Sequence, residues 1–202
     1  MFIDFTGFAG DCLINGKLDL RAPRLTDQLN ADPLVHLLEV ELEELDNARR
    51  VTSSDFTIAR SQLCAVGATG PRGSRALRIA TAPVRLRAQI GPYTILGRLH
   101  EPVGVDALTT IEQRDLMVPL TDATIAFMVG GILDVRDWST LVINRELASW
   151  FRADDGNDEP ITAVPAEALA PIVAPGSKVL TLEAGDRPRR HTGTSPRGPK
   201  PR

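Results

Sequence analysis

The sequence predicts an all-β protein: two small, strongly bent sheets of four or five strands each, followed by a disordered tail. Three observations carry this. Apolar and polar residues alternate at a period of two, with Val84, Leu86, Ala88 and Ile90 interleaved with Arg85, Arg87 and Gln89. That is the pattern of a half-buried strand. Three blocks recur in one order: Asn15-Gly16-Lys17-Leu18 matches Leu96-Gly97-Arg98-Leu99, Leu34 to Leu38 matches Leu116 to Leu120, and Thr57-Ile58-Ala59-Arg60 matches Val142-Ile143-Asn144-Arg145. Their offsets, 81, 82 and 85 residues, point to an internal duplication. Finally, eight of the 15 prolines follow residue 154, where core-forming content fades.

Each element follows from local signals. Gly16 and Gly97 interrupt strands at points where small barrels bend sharply, and are read as structural glycines. Leu25 to Leu29 and Ala107 to Gln113 form a helical turn or loop at the same point of the two repeats. In the next strand, Leu34, His36, Leu38, Val40 and Leu42 share one face, while Val35, Leu37, Glu39, Glu41 and Glu43 share the other. Asp55 to Ile58 and Ser139 to Ile143 are short β-branched or aromatic runs. Gly67, Gly70 and Gly73 mark a flexible connector. Val84 to Ile90 is closed by Gly91-Pro92, and Trp150 ends the last run as a core or interface residue. The expected core includes Leu18, Leu38, Ile58, Leu99, Leu120 and Ile143. The organisation is thus repeat 1 over 1–70, a linker over 71–79, repeat 2 over 80–153 and a disordered Pro/Arg-rich tail over 154–202, with a short helix at Pro165–Leu169.

Composition bounds the function. A hydrophobic fraction of 43% and a charged fraction of 24% describe an ordinary globular chain of 202 residues. No apolar run approaches the roughly 20 residues that span a bilayer, and the N-terminal stretch Met1-Phe2-Ile3-Asp4 lacks the build of a secretory signal. Two cysteines, Cys12 and Cys64, fit a reducing compartment, so the cytoplasm is expected. Charge is segregated: residues 1–70 carry 11 acids and 6 bases, residues 71–153 carry 8 acids and 10 bases, and Arg187 to Arg202 holds six bases and no acid.

Chemistry-bearing motifs are sparse. Nucleophile elbow, phosphate-binding loop, dinucleotide fingerprint and His-Glu-x-x-His are all missing from the sequence. His36 reads as a satisfied core or edge histidine and His100 as a surface turn. No catalytic residue, metal ligand or cofactor is therefore expected. The run Glu39-Glu41-Glu43-Glu44-Asp46 reads as a solvated strand end that blocks strand pairing or docks a basic partner. The basic stripe of Arg85 and Arg87, with Arg72, Arg75 and Arg78 upstream, is suited to the acidic half of a neighbouring molecule. Aromatics, at 4%, are too few for an obvious base-stacking surface.

The repeated blocks resemble the Sm-like fold, a small five-stranded barrel of RNA-associated proteins. The second half offers Gly97-Arg98-Leu99, then Asp115, then Leu116 to Ala123, and ends with Val142-Ile143-Asn144-Arg145. The first half offers Gly16-Lys17-Leu18, Leu34 to Glu39 and Ile58-Ala59-Arg60-Ser61. The second half is also similar to an uncharacterised bacterial domain family, through Gly97 to His100 and Leu120 to Ala123. The Sm-like resemblance implies strand-edge self-association. It also implies RNA contact at the motif arginines, but the family's RNA-contacting Asn is replaced by Met117 and Val35, and the Gly after the motif Arg by Ser61 and Glu146. The expected function is a non-enzymatic binding and assembly module that forms a homo-oligomer or holds a protein partner, without membrane contact. The alternative is an RNA-associated protein. Arg60, Asn144, Arg145, Arg187, Arg189 and Arg190 are the candidate contacts for either partner.

Overall fold

A computed structural model describes residues 1–70, 80–104 and 106–154. The linker 71–79, the tail beyond Asp154, its helix at Pro165–Leu169 and the candidate contacts Arg187, Arg189 and Arg190 lie outside the described residues. The first half runs β1 (Phe2–Ala9), β2 (Cys12–Asp19), α1 (Leu25–Ala31), β3 (Leu34–Glu44), β4 (Arg50–Ala59), a 3₁₀ turn (Arg60–Gln62) and β5 (Leu63–Gly67). The second runs β6 (Ala82–Ile90), β7 (Tyr93–Glu101), α2 (Ala107–Ile111), β8 (Met117–Val129), β9 (Ile132–Asn144), a 3₁₀ turn (Arg145–Leu147) and β10 (Ala148–Ala153). The order is the same in both, and each element of the second half starts 80 to 85 residues after its counterpart.

The ten strands form one antiparallel sheet, where the sequence predicts two. Its order is β10-β6-β7-β8-β9-β5-β1-β2-β3-β4. Each half contributes the same five-strand order, and β5 joins the halves by pairing with β9 through Ala65–Ile143, Val66–Val142 and Gly67–Leu141. The sheet is open: among the described residues, β10 and β4 are its end strands. The β8–β9 hairpin turns at Gly130-Gly131, with φ of 55° and 79°. Positive φ at both central positions is the geometry that matches strand twist in a two-residue turn.

Both bends are β-bulges built alike. Between the pairs Asn15–Glu41 and Lys17–Leu38, only Gly16 faces the two residues Glu39 and Val40. Between Leu96–Thr124 and Arg98–Thr121, only Gly97 faces Asp122 and Ala123. The extra residue is left-handed in each case, with φ of 51° at Glu39 and 45° at Asp122. A salt bridge crosses each bulge, Lys17 to Glu39 at 2.8 Å and Arg98 to Asp122 at 2.9 Å. A Cβ on Gly16 would lie 3.0 Å from the Leu38 carbonyl oxygen, and one on Gly97 would lie 3.0 Å from the Leu120 Cβ. Glycine is therefore what lets the strands approach.

The bulge overturns one core assignment. Leu18, Ile58, Leu99, Leu120 and Ile143 are buried, but Leu38 is 44% exposed. Val35 and Leu37 point inward instead, and after the extra residue Val40 does so too. An inserted residue switches the inward face of a strand. Leu37, not Leu38, is therefore the counterpart of Leu120: each precedes its bulge by two residues.

The interior consists of two clusters that exchange residues between halves. Phe8, Leu13, Cys64 and Ala65 of the first half join Leu86, Ile95, Leu120 and Ile143 of the second. Met117 and Val142 of the second half join Phe5, Ile14, Leu37 and Leu63 of the first. Phe8 makes edge-on ring contacts with Tyr93, Phe127 and Trp138 at 5.5, 5.7 and 6.2 Å. Among the described residues, no helix is long and apolar enough to cross a membrane.

Candidate functional site

Two features hold the sequence-predicted residues: a pair of arginine-tied loops, and the junction between the halves. The loops come first. The Arg60 side chain donates from one guanidinium nitrogen to the carbonyls of Leu29 at 2.8 Å and Asn30 at 2.6 Å, at the end of α1. Its backbone N–H donates to Pro33 O at 2.8 Å. The Arg145 side chain likewise donates through Nε to the Arg114 carbonyl at 2.8 Å, and its N–H donates to Leu116 O at 3.0 Å. Each motif arginine thus ties its 3₁₀ turn to the segment linking helix and strand. Asn144 is 1% exposed, and its Oδ1 accepts from the Glu146 N–H at 3.1 Å, capping the second 3₁₀ turn. Carbonyls at a helix end have no partner within the helix, and a cation suits them.

The charge segregation is absorbed partly within each half. Glu43 receives two hydrogen bonds from Arg50 at 2.9 and 3.0 Å. Glu44 pairs with Arg49 at 3.1 Å and Glu39 with Lys17. In the second half Glu101, 1% exposed, lies 2.9 Å from the Arg114 guanidinium. Arg85 pairs with Asp154 at 3.2 Å, and the Asp154 N–H donates to the Arg85 carbonyl. His36 and His100 are exposed, each against a threonine hydroxyl: Thr57 at 2.8 Å and Thr121 at 2.8 Å. Among the described residues, no three His, Cys, Asp or Glu side chains gather closely enough to hold a metal ion. Beside the second bulge lies an open hollow of about 330 Å³ lined by Asp122, Ala123, Thr124, Asp137, Trp138 and Ser139.

At the junction, all five residues of β5 are buried. The Trp138 ring lies over Gly67 so closely that a Cβ there would fall 2.3 Å from it. From α1, the Asn30 side chain donates to the Met117 carbonyl at 3.0 Å and accepts from the Met117 N–H at 2.9 Å, as a neighbouring strand would. The Tyr93 hydroxyl donates to the Ala9 carbonyl, and burial pushes its pKa up.

Sequence reasoning missed Asn30, whose partner lies 87 residues away, a distance no local pattern bridges. It also missed the Glu39 and Asp122 bulge acids, although the Lys17/Glu39 and Arg98/Asp122 pairs recur in register and were a readable signal. Gly16 and Gly97 occupy equivalent places, as their blocks suggest. Trp150 sits on β10, 37% exposed, at an end of the sheet. No family model, curated protein or solved structure matches the chain.

Proposed function

We propose that this chain is a non-enzymatic assembly module of two Sm-like, barrel-type repeats, acting in the cytoplasm and self-associating through its strand edges. The carrying observation is the β5–β9 junction. The strands at the two ends of the sheet, β10 and β4, are the counterparts of β5 and β9 in the repeated element order. One copy therefore presents at its ends the two halves of the contact it makes within itself. An end strand offers a row of backbone donors and acceptors, and pairing with another chain satisfies them. The arginines add support: Arg60 and Arg145 are engaged with backbone carbonyls of their own half, which suits a structural role better than RNA contact.

Native mass measured over a range of protein concentrations tests the reading. We expect species at integer multiples of the 21.9 kDa chain. A single-chain mass at every concentration overturns it. Tight RNA binding by residues 1–154 at roughly 0.15 M salt, where screening acts beyond about 8 Å, instead establishes the RNA-associated alternative.

A further inference from the structure

Resting on the assembly reading above, we infer that docking between copies is one-way: the end of α2 and strand β10 of one copy seat against Leu34 and strand β4 of a second copy. Within the chain, α1 and β5 seat against Met117 and β9 in this manner. Leu34 and Met117 hold the same place, as the first residue of β3 or β8 paired with the last residue of β4 or β9. Their exposures differ sharply. Met117 is 1% exposed, because α1 and Asn30 cover it, whereas Leu34 is 49% exposed, with no counterpart of α1 above it among the described residues. Such an exposed leucine beside an end strand marks the uncovered half of the same contact.

The covering element is present at the other end of the molecule. α1 begins at Leu25 and α2 at Ala107, so Glu112 at the end of α2 stands where Asn30 stands. Its carboxylate can accept from a backbone N–H as the Asn30 Oδ1 does, but it has no hydrogen to donate to a carbonyl as the Asn30 amide does, so it reproduces half of the internal contact. On the neighbouring strand, Trp150 holds the place of Ala65, which is fully buried. An indole on the outer strand thus replaces the small residue that enters the neighbouring core at the internal junction.

The internal junction fixes the direction: β10 and β4 are the counterparts of β5 and β9, which pair with each other within the chain. Charge runs the same way. Residues 1–70 carry a net of −5, whereas residues 80–153, with 8 acids and 7 bases, carry −1. A contact between two β4 ends brings the two strongly acidic halves together, which like charge disfavours. The contact between copies is also more polar than the internal one, since Thr57 and His36 stand where Val142 and Pro119 do. It is therefore the weaker and reversible one. A head-to-tail contact of this kind closes into a ring or extends into a filament.

Cysteine crosslinking of the full chain tests this. Leu34→Cys and Glu112→Cys are made as separate variants, with the parent, which keeps Cys12 and Cys64, as control. We expect an intermolecular disulfide when the two variants are mixed, and none in either variant alone or in the parent. A second variant, Leu34→Asp, should lower the assembled fraction at least tenfold while leaving the melting temperature unchanged, because Leu34 is already half-exposed. If Leu34→Cys crosslinks to itself and not to Glu112→Cys, the direction is wrong. If no mixed crosslink forms although the parent exceeds one chain in mass, this contact is wrong and edge assembly stands. If the parent never exceeds one chain, the assembly reading itself falls.

Discussion

Arg60 shows what a motif residue becomes once its geometry is known. Its guanidinium serves two helix-end carbonyls, so Arg60→Ala should destabilise the fold by about 1.5–3 kcal/mol, the range for hydrogen bonds to a charged group. Urea denaturation measures this, and we expect Arg145→Ala, with one such bond, to cost less. Thiols give a second test. Burial first, and the Asp11 charge second, push Cys64 from 9.0 to about 12. The folded state then keeps a proton that the unfolded state releases as pH rises through 9.0. The stability contributed by the protonated thiol is complete below that pH and declines up to about 12. Stability should therefore decline on the alkaline side, and Cys64→Ala should make the decline shallower. The arginines were legible in the sequence as positions but not as roles, since their partners are backbone carbonyls 30 and 31 residues away.

Strands and helices were legible where periodicity is local. The helical turns at Leu25 and Ala107 begin where α1 and α2 do. β3 was misread because strict alternation runs Leu34, His36, Leu38, whereas the left-handed Glu39 shifts the inward face. Nothing in a single strand announces a bulge; Gly16 on the partner strand did, and only the repeat with Gly97 gives it meaning. Ala at either glycine should cost roughly 1–3 kcal/mol, the usual price of overpacking, and both variants should respond alike in thermal melts. Within β5, Gly67→Ala should be worse. Its Cβ would strike the Trp138 ring, and the pairing with β9 depends on that strand, so a loss of more than about 3 kcal/mol is expected.

At the scale of the molecule, the two halves are not separable. Phe8 and Leu13 are buried in the cluster of the second half, and Met117 and Val142 in that of the first. Residues 1–70 alone should therefore aggregate or lack cooperative unfolding, whereas residues 1–154 should melt as one unit by circular dichroism. The boundary at residue 153 also needs one more residue, because Asp154 is 7% exposed and bonded to Arg85. A chain ending at Ala153 should melt below one ending at Asp154. The junction has a further consequence in time. β5 is complete at Gly67, but its partner β9 ends at Asn144. On a ribosome adding about 5–20 residues per second, that interval lasts roughly 4–15 s. During it the nascent first half carries a β5 paired with β1 on one side and open on the side that β9 will take, and an uncovered Phe8. The separation also makes closure of the sheet a slow, late event in refolding, and it is in this window that chaperone capture or misassembly between nascent chains would occur.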